Sequence, residues 1–284
     1  MAVKYIYYYF IRRLSFMKEF LGIGGYTRQP EGFLSWQHLL FVGILMAVMV
    51  VLAIHLGKTN RNKDAKKKNR PLIWAAILID AVELFKIIVF CMDGNVVDTI
   101  LRNLPLFLCS IQLISIPLAA FTKGRIKEAA LDFACIFGII GAIFGTIGAG
   151  QNYNAYPVIS LVNVASGITH TISGFASLYI MISGLASLKK RNIGITFGIL
   201  FAFCAAAYIA NVTIPYNYMF LMSGDGTPYD ILYNLSGGSE ILYPILVILL
   251  FVLYIALFYS AYYIFSAREK KAVHNVKDGM ILSK

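Results

Sequence analysis

The chain has 284 residues, of which 59% are hydrophobic and only 14% are charged, and its formal net charge is +11. Soluble domains keep roughly a quarter of their residues charged because their surfaces must stay hydrated. The composition therefore excludes an ordinary soluble protein, and the length leaves no room for a soluble catalytic domain beside a set of membrane spans. We expect an all-α, polytopic membrane helix bundle, with any chemistry located in or beside the bilayer.

Residues 1–35 combine aromatic and basic side chains, for example at Tyr7, Tyr8, Arg12 and Arg13. Tyrosine rings and basic groups favour the layer where hydrocarbon meets phosphate. We expect this segment to lie at the membrane interface, and we treat it as separate from the spans.

Apolar stretches long enough to cross a bilayer follow, and we expect seven transmembrane helices. They lie at about 37–57, 71–91, 104–121, 129–149, 164–187, 194–214 and 241–266. In the third, Pro105 is expected at the first helical position, where its missing N–H costs nothing. In the fourth, Gly141 and Gly145 form a pair of small residues typical of close helix packing. The chain thus divides into an interfacial segment (1–35), a seven-helix transmembrane domain (36–266) and a basic tail (267–284).

Lysines and arginines are concentrated on one side of this arrangement. The loops after the first, third and fifth spans and the tail carry eighteen of them, whereas the alternate loops carry only Arg102. Cytoplasmic loops are enriched in these residues, so we expect the amino terminus outside and the carboxyl terminus in the cytoplasm. Because the bases lie in short loops, they indicate topology control and contact with anionic headgroups, and not nucleic-acid binding.

Polar side chains inside a span are functional candidates, because hydrocarbon disfavours them. Under the expected orientation they fall in the outer half of the membrane, which predicts one polar pocket opening toward the outer leaflet. The candidates are Glu83, Lys86, Cys109, Gln112, His170, Asn211, Asn217 and Tyr218.

Each candidate also has a structural interpretation. Glu83 and Lys86 are three residues apart on one helix face and could simply neutralise each other. A lone cysteine in an apolar helix is usually a small packing residue, and a single membrane histidine is more often an interhelical hydrogen-bond partner than a catalyst.

A cysteine paired with a histidine at the depth of phospholipid ester bonds points to acyl transfer through a thioester. In that hypothesis Cys109 is the nucleophile and His170 is its base. Lys86 or the amides around Asn217 would stabilise the oxyanion. No cofactor and no metal ion is required. No spacing rule in the sequence brings the two residues together.

Three segments carry a resemblance to a known family. Residues 104–113 (LPLFLCSIQL) resemble the LPLHLCS signature of the YwaF-like bacterial integral membrane proteins, which are related to the eukaryotic transmembrane protein 164 acyltransferases. Residues 168–179 (ITHTISGFASLY) are similar to the histidine-bearing fifth span of that family. Residues 211–221 (NVTIPYNYMFL) are similar to its N-x5-NYMFL stretch. The similarity covers about residues 35–265.

The resemblance implies a seven-helix protein of the bacterial plasma membrane that transfers fatty acyl groups between membrane phospholipids. It implies that Cys109 becomes acylated and that His170 is the family's histidine. The chain departs from the pattern at Phe107, where the signature usually has histidine, and at Thr171, where glycine usually follows. If the missing histidine were the base, the chain would be a non-catalytic relative.

Two other functions fit the same sequence. A membrane transporter or solute-binding subunit could use the polar pocket without covalent chemistry, although no inverted repeat is apparent. The chain could also be a structural partner in a larger membrane complex.

Overall fold

The computed structural model describes residues 16–185 and 188–282, and leaves out the side chains of residue 93 and of residues 267–282. The first part of the predicted interfacial segment and the basic side chains of the predicted tail therefore lie outside the described residues. Within the described part the chain is helical and contains no strand, which confirms the predicted all-α helix bundle. The helices are α1 (Trp36–Asn60), α2 (Ala65–Asp93), α3 (Val96–Arg102), α4 (Gln112–Phe121), α5 (Gly124–Thr146), α6 (Gly150–Ala155), α7 (Leu161–Ser183), α8 (Ile193–Thr213), α9 (Asp230–Leu235) and α10 (Leu242–Leu282).

Four helical stretches of the described chain are long and apolar enough to cross a membrane: Trp36–Asn60, Gly124–Ala155, Lys190–Thr213 and Leu242–Ser266. Helices α2 and α7 have 29 and 23 residues and reach a similar length. They are more polar, because α2 carries Glu83 and Lys86 and α7 carries His170. The chain is thus a polytopic membrane protein, while the count of seven spans and the orientation stay predictions.

The prediction of the third span is wrong for its first half, residues 104–111, which are not helical. Helix α4 begins at Gln112 and not at Pro105. The residue before a proline disfavours the helical conformation, and Ser110 ties the next stretch into a turn. Its Oγ accepts a hydrogen bond from the Phe107 amide and donates one to the Phe107 carbonyl, both at 3.0 Å. Cys109 therefore lies on a turn before α4 and not on a helix.

Helix α7 lies at the centre of the bundle and packs against α1, α2 and α5. Its contact with α5 is close because small residues face each other. A Cβ atom at Gly138 would lie 2.5 Å from the Ser173 carbonyl oxygen. The Ser177 hydroxyl donates to the carbonyl of Cys135 across the same contact. This half of the α5–α7 pair is tightly packed.

The described part of the amino-terminal segment folds over one end of the bundle. The Glu31 carboxylate accepts a hydrogen bond from the Val158 amide at 2.7 Å. The Asn154 side chain accepts one from the Phe33 amide at 2.8 Å. Residues 16–35 are thus held by specific contacts with the loops around α6. Whether the segment also lies at a membrane interface stays a prediction.

Candidate functional site

A cavity of about 1030 Å³ occupies the end of the bundle where α2 and α8 end and α7 begins. The amino-terminal segment contributes Gly22 and Tyr26 to its wall. Of the predicted site residues, the cavity wall includes Glu83, Lys86, Cys109, His170, Asn211 and Asn217. Gln112 and Tyr218 do not line it.

Cys109 is a free cysteine, partly exposed to this cavity, on the turn that leads into α4. Amides at the start of a helix carry partial positive charge and favour a negative group placed against them. The turn presents the thiol to the cavity just before the amino-terminal end of α4, which begins at Gln112.

His170 lies on α7, one turn after Ser166. Its Nδ1 atom is 2.7 Å from the Ser166 carbonyl oxygen and 3.3 Å from the Ser166 hydroxyl. A carbonyl oxygen only accepts hydrogen bonds, so Nδ1 carries the proton in the neutral ring. The lone pair is then on Nε2, which is the arrangement that a general base requires.

Cys109 and His170 line the same cavity, and both lie against the same face of α5, Cys109 beside Gly141 and His170 beside Gly145. Since Nδ1 is occupied by Ser166, the ring nitrogen left for a further partner is Nε2. That atom is buried and has no hydrogen-bond partner among the described residues. Catalytic hydrogen bonds are often long or poorly aligned before substrate binds. No other group of the described residues therefore competes with the thiol for Nε2.

Two glycines of α5 make room for this pair. A Cβ atom at Gly145 would lie 2.0 Å from both Cδ2 and Nε2 of His170. One turn earlier, a Cβ atom at Gly141 would lie 3.6 Å from the Cβ of Cys109. The sequence predicted a close helix contact at these glycines. In the structure the space at Gly145 is instead filled by the imidazole ring.

Glu83 and Lys86 form an ion pair on the cavity wall, with Lys86 Nζ 2.7 Å from Glu83 Oε1. This is the mutual neutralisation that the spacing allows.

The two asparagines of the wall hold the loop that follows α8. The Asn211 side chain accepts from the Tyr218 amide at 2.7 Å and donates to the Tyr218 carbonyl at 3.0 Å. The Asn217 amide group donates to the Ser223 carbonyl and to the Asp225 carboxylate, each at 2.7 Å. The side chains of Asn211 and Asn217 thus hold the backbone of this loop in place, and a role for them in stabilising an oxyanion stays a prediction.

The remaining two predicted site residues are buried. The hydroxyl of Tyr218 donates to the Leu101 carbonyl, so this side chain ties the loop after α8 to α3. Gln112 accepts a hydrogen bond from the Ser115 hydroxyl at 2.8 Å inside the bundle. Both residues support the surroundings of the cavity without facing it.

Phe107, at the position where the signature has histidine, belongs to an aromatic cluster on the cavity wall. Its ring centroid is 5.7 Å from those of Tyr218 and Phe220 and 6.2 Å from that of Tyr216. No proton acceptor replaces the absent imidazole in these contacts. If a base acts on Cys109, the residue placed for that role is His170.

Sequence reasoning missed two residues that position the histidine, Ser166 and Gly145. Ser166 precedes His170 by four residues, a spacing that places both on one helix face, and this was the available signal. Nothing in the sequence pairs Gly145 with His170. Among the described residues, no group of three or more His, Cys, Asp or Glu side chains could hold a metal ion.

The sequence profile of the TMEM164 family matches residues 33–267 of the chain. No curated protein and no solved structure gives a significant match.

Proposed function

The chain belongs to the TMEM164 family, and from this premise we propose that it is a membrane acyltransferase that transfers fatty acyl groups between lipids through a thioester on Cys109. The observation that carries the proposal is that Cys109 and His170 line one large cavity, where the buried Nε2 atom of His170 has no hydrogen-bond partner among the described residues. The tautomer of the ring, fixed by Ser166, supports a base role for Nε2.

In the first half-reaction, Nε2 of His170 takes the thiol proton and the sulfur attacks the ester carbonyl carbon of a donor phospholipid. When the intermediate collapses, the carbon–oxygen bond breaks and the leaving lysolipid oxygen takes the proton from the imidazolium. The acyl group stays on sulfur as a thioester.

In the second half-reaction, the same imidazole takes the proton of an acceptor lipid's hydroxyl group. The acceptor oxygen attacks the thioester carbon, the carbon–sulfur bond breaks, and the thiolate regains a proton from His170. Donor and acceptor use the cavity in turn, because one sulfur atom serves both.

The transporter or solute-binding alternative has less support. Glu83 and Lys86 neutralise each other, and the side chains of Asn211 and Asn217 hold the loop after α8. These four candidate residues for binding a solute therefore already have partners within the protein. The Nε2 atom of His170, by contrast, has no hydrogen-bond partner among the described residues and lies in the same cavity as Cys109.

The test is an acyl adduct on Cys109. We expect the purified protein, incubated with phospholipid, to gain the mass of a fatty acyl group on the Cys109 peptide, and hydroxylamine to remove it. Cys109→Ala should abolish the adduct and acyl transfer between lipids, whereas Cys91→Ala, outside the cavity, should retain both. His170→Gln should slow adduct formation by about 10²–10⁴-fold, the usual contribution of a general base. Full acyl transfer by Cys109→Ala, or no transfer by the unaltered protein, would contradict the proposal.

A further inference from the structure

A second, smaller cavity lies at the other end of α2, where the chain turns from α1 into α2. Its volume is about 360 Å³, and its wall consists of Asn60, Lys63, Lys67, Arg70 and Pro71. Lys67 is sixteen residues before Glu83 on α2, about 24 Å along the helix at 1.5 Å per residue. The two cavities are therefore separate, and nothing in the proposed acyl transfer uses the second.

The turn that forms this cavity is held by buried polar groups. The Lys63 amide donates to the Asn60 carbonyl at 3.0 Å. The Asn60 side chain donates to the Leu56 carbonyl at 2.9 Å. The hydroxyl of Tyr179, a fully buried residue of α7, donates to the Lys68 carbonyl at 2.6 Å. These bonds fix the backbone that carries the basic side chains.

A further anchor ties the first turns of α2 to the end of α4 and to α5. The Asn69 side chain donates to the Ala120 carbonyl at 2.7 Å and accepts from Lys127 Nζ at 2.7 Å. The cations of the cavity thus project from a backbone that is fixed by contacts with three other helices, which lowers the entropic cost of gathering them around a ligand.

The cavity carries more positive than negative charge. Lys63, Lys67 and Arg70 are exposed cations, and the nearest ion-pairing carboxylate, Asp64, is 3.5 Å from Lys67 Nζ. The Lys67 amide donates to Asp64 and lowers the pKa of that carboxyl group, so it is ionised at neutral pH. Among the described residues neither Lys63 nor Arg70 forms an ion pair.

The basic loop between α7 and α8, also on the predicted cytoplasmic side, differs in how its cations are paired. There Lys189 and Arg191 both bind the Glu128 carboxylate, at 3.0 and 2.7 Å. That loop satisfies its cations internally. The α1–α2 turn leaves most of its cations for an external anion.

We propose that the cavity of the α1–α2 turn binds a phosphate group, and that the ligand is the headgroup of an anionic phospholipid. A phosphate offers several strong acceptor oxygens, so it can bind two or three cations at once. The apolar helix α1 ends at Asn60, on the cavity wall. A ligand there lies at the level where lipid phosphates meet a spanning helix, and basic pockets at this level are suited to such headgroups.

Thermal stability of the full chain in a neutral detergent tests this. The probes are phosphatidylglycerol, phosphatidylcholine as the lipid without net charge, and inorganic phosphate as the free ion. Two variants are compared with the unaltered chain. One is Lys63→Gln/Lys67→Gln/Arg70→Gln, which empties the cavity of cations. The other is Lys58→Gln/Arg61→Gln/Lys66→Gln, which removes three exposed cations of the same loop outside the cavity.

We expect phosphatidylglycerol to raise the unfolding temperature at lower concentration than phosphatidylcholine does. The cavity variant should need about a hundredfold more phosphatidylglycerol, roughly fivefold for each charge removed. The control variant should lose at least tenfold less. All three proteins should unfold at similar temperatures without added lipid, because the substituted side chains are exposed. An equal loss in both variants would overturn the site, and equal protection by inorganic phosphate would overturn its assignment to a lipid.

Discussion

Each half of the α5–α7 helix pair has a glycine at the contact between the helices, and the two glycines have different roles. In one half, Gly138 lets the backbones approach until a Cβ atom would meet the Ser173 carbonyl at 2.5 Å. In the other half, Gly145 leaves a space that the His170 ring fills. The first glycine brings two helices together, whereas the second holds a reactive side chain between them.

The comparison shows that the role of a small residue on a membrane helix depends on which atoms occupy the space beside it. Backbone fills the space at Gly138, so a change there must act on stability. A side chain that can rotate fills the space at Gly145, so a change there must act on the site. Substitution of each glycine by alanine separates the two roles.

The largest effect is expected for Gly145→Ala. The added methyl group would push the His170 ring aside by more than 1 Å, and misplacement of a catalytic group by about 1 Å can cost about 10²-fold in rate. We expect acyl-adduct formation on Cys109 to fall by that factor, with little change in unfolding temperature, because the ring can rotate away. The rate is measured by intact-protein mass spectrometry.

A second measurement does not depend on the acyltransferase proposal. Alkylation of Cys109 by iodoacetamide should slow in Gly145→Ala, because the thiol loses its base. Unchanged alkylation together with unchanged adduct formation would show that the ring position set by Gly145 is unimportant.

A smaller effect, of a different kind, is expected for Gly138→Ala. Extra volume in a packed core costs roughly 1–3 kcal/mol, and here the methyl group meets backbone that cannot rotate away. We expect a lower unfolding temperature, with the rate of adduct formation per folded molecule unchanged. A variant that folds normally but loses the adduct would reverse the roles assigned to the two halves.

The smallest effect is expected for Gly141→Ala, which is the matched control for Gly145→Ala. Its Cβ atom would lie 3.6 Å from the Cβ of Cys109, an ordinary van der Waals contact. Alanine also favours the helix over glycine by about 1 kcal/mol. We expect equal or slightly higher thermal stability and retained adduct formation. A loss as large as that of Gly145→Ala would mean that any side chain on this face of α5 disturbs the site.

Hydropathy predicted much of the fold, because lipid contact demands long apolar helices. The stretch predicted at 37–57 is the helix Trp36–Asn60, and the stretch at 194–214 is Ile193–Thr213. It failed at 104–111, where the residues are as apolar as a span but form a turn. Hydropathy measures the preference for lipid, and it does not register that Ser110 and Pro105 change the path of the backbone.

The sequence also predicted Cys109 and His170 as site residues, since both are unusual in a span. It could not predict that they line one cavity, which depends on how α4, α5 and α7 pack. Nor could it separate residues whose polar groups are free to bind a ligand from residues whose polar groups hold the protein's own backbone. Asn217 has the polarity of a ligand-binding residue, but its hydrogen bonds go to the Ser223 carbonyl and the Asp225 carboxylate.

The turn that carries Cys109 has a consequence for the lifetime of an acyl group bound there. Helical amides satisfy one another, whereas the amides of Cys109 and Ser110 lie on a turn that precedes α4 and lines the cavity. Irregular backbone of this kind is tolerated in a membrane protein where it borders a water-filled space. Water that solvates these amides also reaches the carbon of a thioester on the same sulfur. Hydrolysis to a free fatty acid is therefore the natural competitor of transfer, and an acceptor lipid must displace that water to prevail.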